Sequence, residues 1–327
     1  MQAKPTNKTP RQLRAFWTPQ RLREAIRNSG TDAAVPPAGG VGGTSTSRPT
    51  AVAGPGSAAP AAPPKNSAAL RGKAATAELA AAVTASRRVS NVAAWPMSAV
   101  GRLFYTDATE TEWFACSATS IATNNRNSVW TAAHCLHAGP GGDWRRNHVF
   151  IPAYSNNSNP YGWWYGVSVL ALDSWIEDRD YESSDLGALI VVPETGSANL
   201  QDTVGGWGHN FRGGTAYTNA RSFGYPASGY NRPDSDFFNG EYMMYCEGNT
   251  IDADNNNPFD DRIRMSCDMG GGASGGPIAT GVGSSNVQIV GSNSHRDGDA
   301  NGNYVNNHLY SSNHYNNAAV VINALNS

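Results

Sequence analysis

The chain has 327 residues, 15% charged and 39% hydrophobic, enough for one large or two ordinary domains with a sizeable core. Its charge is divided: residues 1–94 hold 4 Lys, 9 Arg and 3 acids, formally +10, and residues 95–327 hold 11 Arg, no Lys and 23 acids, formally −12. The basic charges are spread through Ala- and Pro-rich chain with no aromatic residue beyond Phe16 and Trp17, which argues against a nucleic-acid partner, and no apolar run approaches the length of a membrane span.

In chain order, residues 18–30 predict a short helix. Thr18 can cap it, Pro19 suits its first turn, Leu22 and Ile26 share a face, and Gly30 can end it. Residues 31–64 carry only Asp32 and Arg48 amid Ala, Pro, Gly, Ser and Thr, too little apolar surface to offset ordering, and read as a linker. Ala74–Arg88 is alanine-rich, predicts a second helix and ends in the dibasic pair Arg87-Arg88. The opposite net charges of the two parts favour docking of the basic segment on the acidic one, in a salt-sensitive way.

From about Trp95 short β-prone runs recur: VGRLFY (100–105), SVWTAA (128–133), HVFIPAY (148–154), GVSVLAL (166–172), LGALIVV (186–192) and VQIVGSN (287–293). Gly, Asn, Asp and Pro separate them, which indicates an all-β sandwich or a pair of barrels. Residues 313–325 predict a terminal helix through Ala318, Val320, Val321, Ile322 and Leu325. Four cysteines, Cys116, Cys135, Cys246 and Cys267, without a CxxC pair argue for two disulfides and an oxidising compartment rather than for zinc. No secretory apolar region follows Met1, so an exported protein is expected to have had its leader left out of this sequence or replaced.

Three motifs carry chemistry: TAAHC (131–135), SSDLGALIV (183–191) and DMGGGASGGP (268–277). Taken singly they read as a strand-end histidine, a turn aspartate and a glycine-rich loop. Together, in the order His134, Asp185, Ser274, they resemble the chymotrypsin-like serine peptidases over roughly Trp95 to the C-terminus. FACSATSI (114–121) and FGYPA (223–227) bring the resemblance closest to bacterial members related to the glutamyl endopeptidases. The resemblance implies two six-stranded antiparallel β-barrels with the active site between them and a C-terminal helix, preceded by a largely disordered N-terminal segment.

It further implies a base (His134), a buried aspartate that orients it (Asp185), a nucleophile (Ser274) and an oxyanion hole from the N–H groups of Gly272 and Ser274. The cysteine beside the histidine would pair with the one ahead of it, giving Cys116–Cys135 and leaving Cys246–Cys267; from sequence alone all three pairings stay open. Ala273 stands where trypsin has an aspartate that pairs with the new N-terminus, so activation by that ion pair is not expected. Asp268, Ser294 and His295 are candidates for the substrate pocket.

The chain is thus expected to be a secreted monomeric serine endopeptidase acting on polypeptides, without cofactor, metal or membrane partner. Residues 1–94 would be a pro-segment and linker, cleaved near Arg87–Asn91 and able to bind the domain formed by residues 95–327. The rivals are an inactive binding protein on the same fold and an esterase using the same triad. DGDANG (297–302) opens like a calcium loop but has His308 at the twelfth position and reads as a turn. His137 as a metal ligand and a cation in DADNNNPFDD (252–261) are weaker readings.

Overall fold

The computed structural model of this protein describes residues 1–29, 56–64, 83–254 and 262–327. Six strands make a closed barrel: β4 (Val100–Thr106), β5 (Trp113–Ser120), β6 (Ser128–Thr131), β7 (Arg146–Pro152), β8 (Trp164–Ala171) and β9 (Gly187–Pro193). Pairing runs β7-β4-β5-β6-β9, and β8 closes the ring by pairing with both β7 and β9. β7 uses only Trp164 and Tyr165 of β8. The edge it leaves is filled by β1 (Gln2–Pro5), which pairs antiparallel with Ser168–Ala171 and so covers backbone groups that would otherwise lie open.

The strand β4 explains why the N-terminal segment docks. Its side chains alternate between faces. Leu103 belongs to the cluster inside the barrel, while Val100 and Phe104 belong to a second cluster outside it. That outer face is covered by α1 (Pro10–Phe16) and α2 (Pro19–Asn28), which bury Leu13, Trp17, Leu22, Ala25 and Ile26. The Trp17 Nε1–H donates to the carbonyl of Asn147 at 2.7 Å. Thr18 caps α2 as the sequence indicates, accepting from the Arg21 N–H.

The second half contains a sheet in the order β10-β16-β15-β11-β12: β10 (Gly208–Asn210), β11 (Ala220–Gly224), β12 (Met244–Gly248), β15 (Pro277–Thr280) and β16 (Gln288–Ser292). Beside it lies a three-stranded sheet, β13 (Thr250–Asp252), β14 (Ile263–Ser266) and β17 (His308–Ser311). Two strands from the N-terminal segment cover the ends of the larger sheet: β2 (Ser57–Ala58) pairs with β10, and β3 (Val83–Arg88) pairs with β12. The helix expected over Ala74–Arg88 is therefore corrected for its last six residues, where edge pairing on β12 outweighs alanine's helix propensity. Residues 74–82 of that helix, residues 31–55 of the linker and most of the acidic stretch 252–261 lie outside the described residues.

The C-terminal helix (Tyr315–Asn326) sends Ala318, Val321, Ile322 and Leu325 into the same cluster as Ile289 and Phe223 of the second half. Disulfides join Cys116 to Cys135 and Cys246 to Cys267. The DGDANG stretch is a turn in which the Asp299 carboxylate accepts the Asn301 and Asn303 N–H groups.

Candidate active site

The strand β6 ends at Thr131, and a single 3₁₀ turn, Ala133–Cys135, follows it. This turn, tied to β5 through the Cys116–Cys135 disulfide, sets the direction of His134. The His134 backbone N–H donates to Asp185 Oδ1 at 2.9 Å, and its ring Nδ1 lies 2.9 Å from Asp185 Oδ2 and 3.1 Å from Oδ1. Because a carboxylate only accepts, Nδ1 carries the proton and Nε2 keeps its lone pair.

Asp185 immediately precedes β9 and is wholly buried. Burial pushes its carboxyl up, but the imidazole beside it and hydrogen bonds from His134 and Ser294 outweigh burial and hold it below the usual carboxylate range. The Ser294 hydroxyl donates to Asp185 Oδ2 at 2.5 Å and lies 2.8 Å from His295 Nδ1. A hydroxyl has one proton, so His295 Nδ1 donates to Ser294 and its Nε2 accepts from Arg262 Nη1 at 3.0 Å. Burial, then the Arg262 charge, pulls the His295 pKa down to about 3, which keeps the ring neutral.

Ser274 lies on a tight turn. The Gly275 N–H donates to Asn293 O at 2.7 Å, the Asn293 N–H to Gly276 O at 2.8 Å, and the Ala273 N–H to Gly270 O at 3.1 Å. Among the described residues, the turn's hydrogen bonds start from the N–H groups of Gly270, Gly271, Ala273, Gly275 and Gly276, and not from those of Gly272 or Ser274. Gly272 and Gly275 have φ of +90° and +77°, a region L-residues avoid. A Cβ on Gly275 would meet Ser117 O at 2.5 Å and Ala132 N at 2.9 Å, so the turn is pressed against β5 and the residues that lead from β6 to His134. The Ser117 N–H also holds the Ser274 carbonyl at 2.7 Å. His134 and Ser274 are each 8% exposed.

Ser274 borders a cavity lined by Gly270, Gly271, Ser294, His295, Arg296 and Tyr304, among others. Asp268 is not in this lining. One oxygen of its carboxylate accepts from Arg232 at 2.6 Å, and the other accepts the Ser86 N–H of β3 at 2.8 Å. Ser294 has a part in the site that sequence reasoning missed: it bonds the Asp185 carboxylate. Arg296 was equally overlooked, although it directly follows His295 in the chain. Its guanidinium donates to the carbonyls of Met269 and Asn306, which anchors the cavity wall. His137 stands apart from this group, with its Nδ1 accepting the Gly139 N–H at 3.0 Å.

No family model matches the chain, and no curated protein does. Among solved structures it is similar to protease Anisep from Arthrobacter nicotinovorans, at 30% identity over 72% of this chain and 99% of that one, with a TM-score of 0.59. It is also similar to the thermostable serine protease AL20 from an extremophilic microorganism, at 27% identity over 68% of this chain and 97% of that one, TM-score 0.55. A Glu endopeptidase in complex with MPD shares the fold at 16% identity over 73% of this chain and 94% of that one, TM-score 0.55.

Proposed function

From the premise that the chain belongs to the chymotrypsin-like serine peptidases and is a serine endopeptidase, we propose that it is secreted and hydrolyses peptide bonds through His134, Asp185 and Ser274. In this reading Ser274 Oγ attacks the scissile carbonyl carbon while His134 Nε2 takes its proton. The tetrahedral oxyanion accepts hydrogen bonds from the Gly272 and Ser274 N–H groups. Collapse breaks the C–N bond, His134 gives its proton to the leaving amine, and an acyl-Ser274 ester remains. Water, deprotonated by His134, then attacks the ester carbon; the bond from that carbon to Ser274 Oγ breaks, His134 returns the proton to Oγ, and the acid is released. Asp185 holds the tautomer and stabilises the imidazolium.

The observation that carries this reading is the buried Asp185 carboxylate bonded to His134 Nδ1, which leaves Nε2 basic. The test is a fluorophosphonate probe on the processed protein and on Ser274→Ala. Labelling of the first and loss of label in the second is expected. An unlabelled wild type would favour the binding protein, and labelling with ester but no peptide turnover would favour the esterase.

The cavity beside Ser274 is proposed as the primary substrate pocket, with Ser294 and His295 in its wall. Its lining includes Arg296, and Asp268 is neutralised by Arg232. Both points favour an acidic over a basic substrate side chain, to be read from cleavage of a mixed peptide library. Residues 1–94 are proposed as a pro-segment cut near Arg87–Asn91. Sequencing the N-termini of the active secreted protein tests this, and the absence of any terminus near residues 88–92 counts against it.

A further inference from the structure

The described part of the N-terminal segment does not enter the cavity beside Ser274, whose lining starts at Met269. It instead reaches the loop carrying Gly272 from behind. A Cβ built on Gly272 would lie 3.2 Å from Ser29 Cβ and 2.5 Å from the Tyr225 carbonyl oxygen. Ser29 follows the last residue of α2 and is buried. Its hydroxyl donates to Ala25 O at 2.9 Å and accepts from Arg102 Nη2 at 3.0 Å.

Arg102 projects from β4 on the face covered by α2 and is wholly buried. Its Nη1 donates to Tyr225 O at 2.8 Å and to Gly240 O at 2.5 Å. These three acceptors are all neutral, so each carries much of the solvation that the guanidinium has lost. Tyr225 is coupled forward as well: its N–H donates to Ser117 Oγ, which donates to the Gly272 carbonyl at 2.8 Å. The Ala227 N–H donates to Gly271 O at 2.7 Å. The peptide at Gly272 is thus held between Ser117 on one side and the Tyr225–Arg102–Ser29 group on the other.

We propose that residues 1–29 are a positioning element for the Gly272 loop, with Ser29 and Arg102 as the coupling pair, and that they remain docked after any cut near Arg87–Asn91. The segment supports the oxyanion loop and does not plug the cleft. Trypsin-type activation would secure this loop through an aspartate beside the serine; with Ala273 in that place, the same task falls to a buried arginine held by α2. This inference rests on the reading of the Gly272 and Ser274 N–H groups as the oxyanion hole.

The test uses the processed full-length protein. Ser29→Ala removes one acceptor from Arg102 while leaving the apolar face of α2 intact. It is expected to lower kcat about tenfold with KM within about twofold, on the scale of a weakened oxyanion donor. Affinity for a peptide aldehyde, whose adduct carries the oxyanion, should fall in step, while affinity for the corresponding product peptide should not change. A role in folding alone would leave both affinities unaltered once the measurement is made well below Tm.

A second arm inserts a specific protease site into residues 30–55 and cuts it. Residues 1–29 should co-elute with the rest and activity should persist; stripping them with urea below the main unfolding transition should cost kcat at least tenfold, restored on re-adding the fragment. Unchanged kcat and aldehyde affinity in Ser29→Ala, or full activity after stripping, overturns the proposal. Ser274→Ala is run alongside: if it keeps peptidase activity, the catalytic reading itself fails and takes this inference with it, whereas an inactive Ser274→Ala beside an unaffected Ser29→Ala removes the positioning role alone.

Discussion

The two halves of the molecule close their sheets in different ways. The first barrel completes its ring from its own six strands, and β1 only covers a leftover stretch of β8. The larger sheet of the second half ends in β10 and β12, and both ends are covered by strands from the N-terminal segment. Each half also supplies a different part of the site: His134 and Asp185 come from the first, Ser274 and its glycine turn from the second. The half that holds the proposed nucleophile and oxyanion loop therefore borrows strands from chain before residue 95 for its sheet ends, while the half that holds the proposed base and its partner closes its own ring and takes α1 and α2 on its outer face.

Substitutions on the two sides sharpen this contrast. Ser274→Ala, on the second half, should have the largest effect, a loss of about a millionfold in kcat. Asp185→Asn, on the first, should cost about ten-thousandfold by favouring the wrong imidazole tautomer, with Tm measured alongside to show that the fold persists. Equal small losses in both variants would remove the proposed division of labour.

The N-terminal strands should follow the same asymmetry in stability. Ser86→Pro removes the N–H that β3 donates to buried Asp268 and interrupts the edge strand on β12. It should destabilise by about 1–3 kcal/mol in a urea titration. Deleting residues 1–5, an exposed strand along β8, should cost less. The reverse order would break the comparison.

Acid should also probe the two halves. His148, in the first barrel, is pushed down to about 4 by burial, and so is His314, which bonds Trp130 and Ser292. With His295 down at about 3, these rings stay neutral in the folded protein while the unfolded chain takes up protons below about 6.5. Their contribution is intact above about 6.5 and is lost as pH falls towards the folded values, at up to about 1.4 kcal/mol per pH unit for each ring. The lowered Asp185 carboxyl adds stability present above its ordinary pKa and lost only at lower pH. Hydrogen exchange between pH 7 and 5 should show the second half opening before the first.

The smallest effect should be that of salt on the docked N-terminal segment. Its ion pairs, Lys8 with Glu110 and Arg14 with Glu194, are partly exposed, and such pairs contribute about 0–1 kcal/mol each. Its buried Leu13, Trp17, Leu22 and Ile26 carry more. Raising salt should weaken binding of the cut segment by about tenfold at most, read by titration at two ionic strengths. A much steeper dependence would make charge the main attachment.

Much of the arrangement is written in short stretches of chain. The apolar runs predict the barrel strands, Thr18 and Pro19 predict the start of α2, and TAAHC, SSDLGALIV and GASGGP mark the residues proposed for catalysis. Such features are legible because a strand's alternation, a helix cap or a glycine turn depends on neighbours a few residues away. Asp268 shows where that legibility stops. Its spacing from Ser274 suggests a pocket residue, yet Arg232 and the Ser86 N–H, 36 and 182 residues distant, claim its two oxygens.

The sequence by itself determined the chemical groups available and the local turns that hold them. Only the tertiary structure decided which groups meet: Ser294 with Asp185, Arg102 with Ser29, β3 with β12. Those choices depend on closing long loops and on burying charge against whatever acceptors the fold brings near, and a buried arginine leaves no periodic trace in the chain to announce its partners.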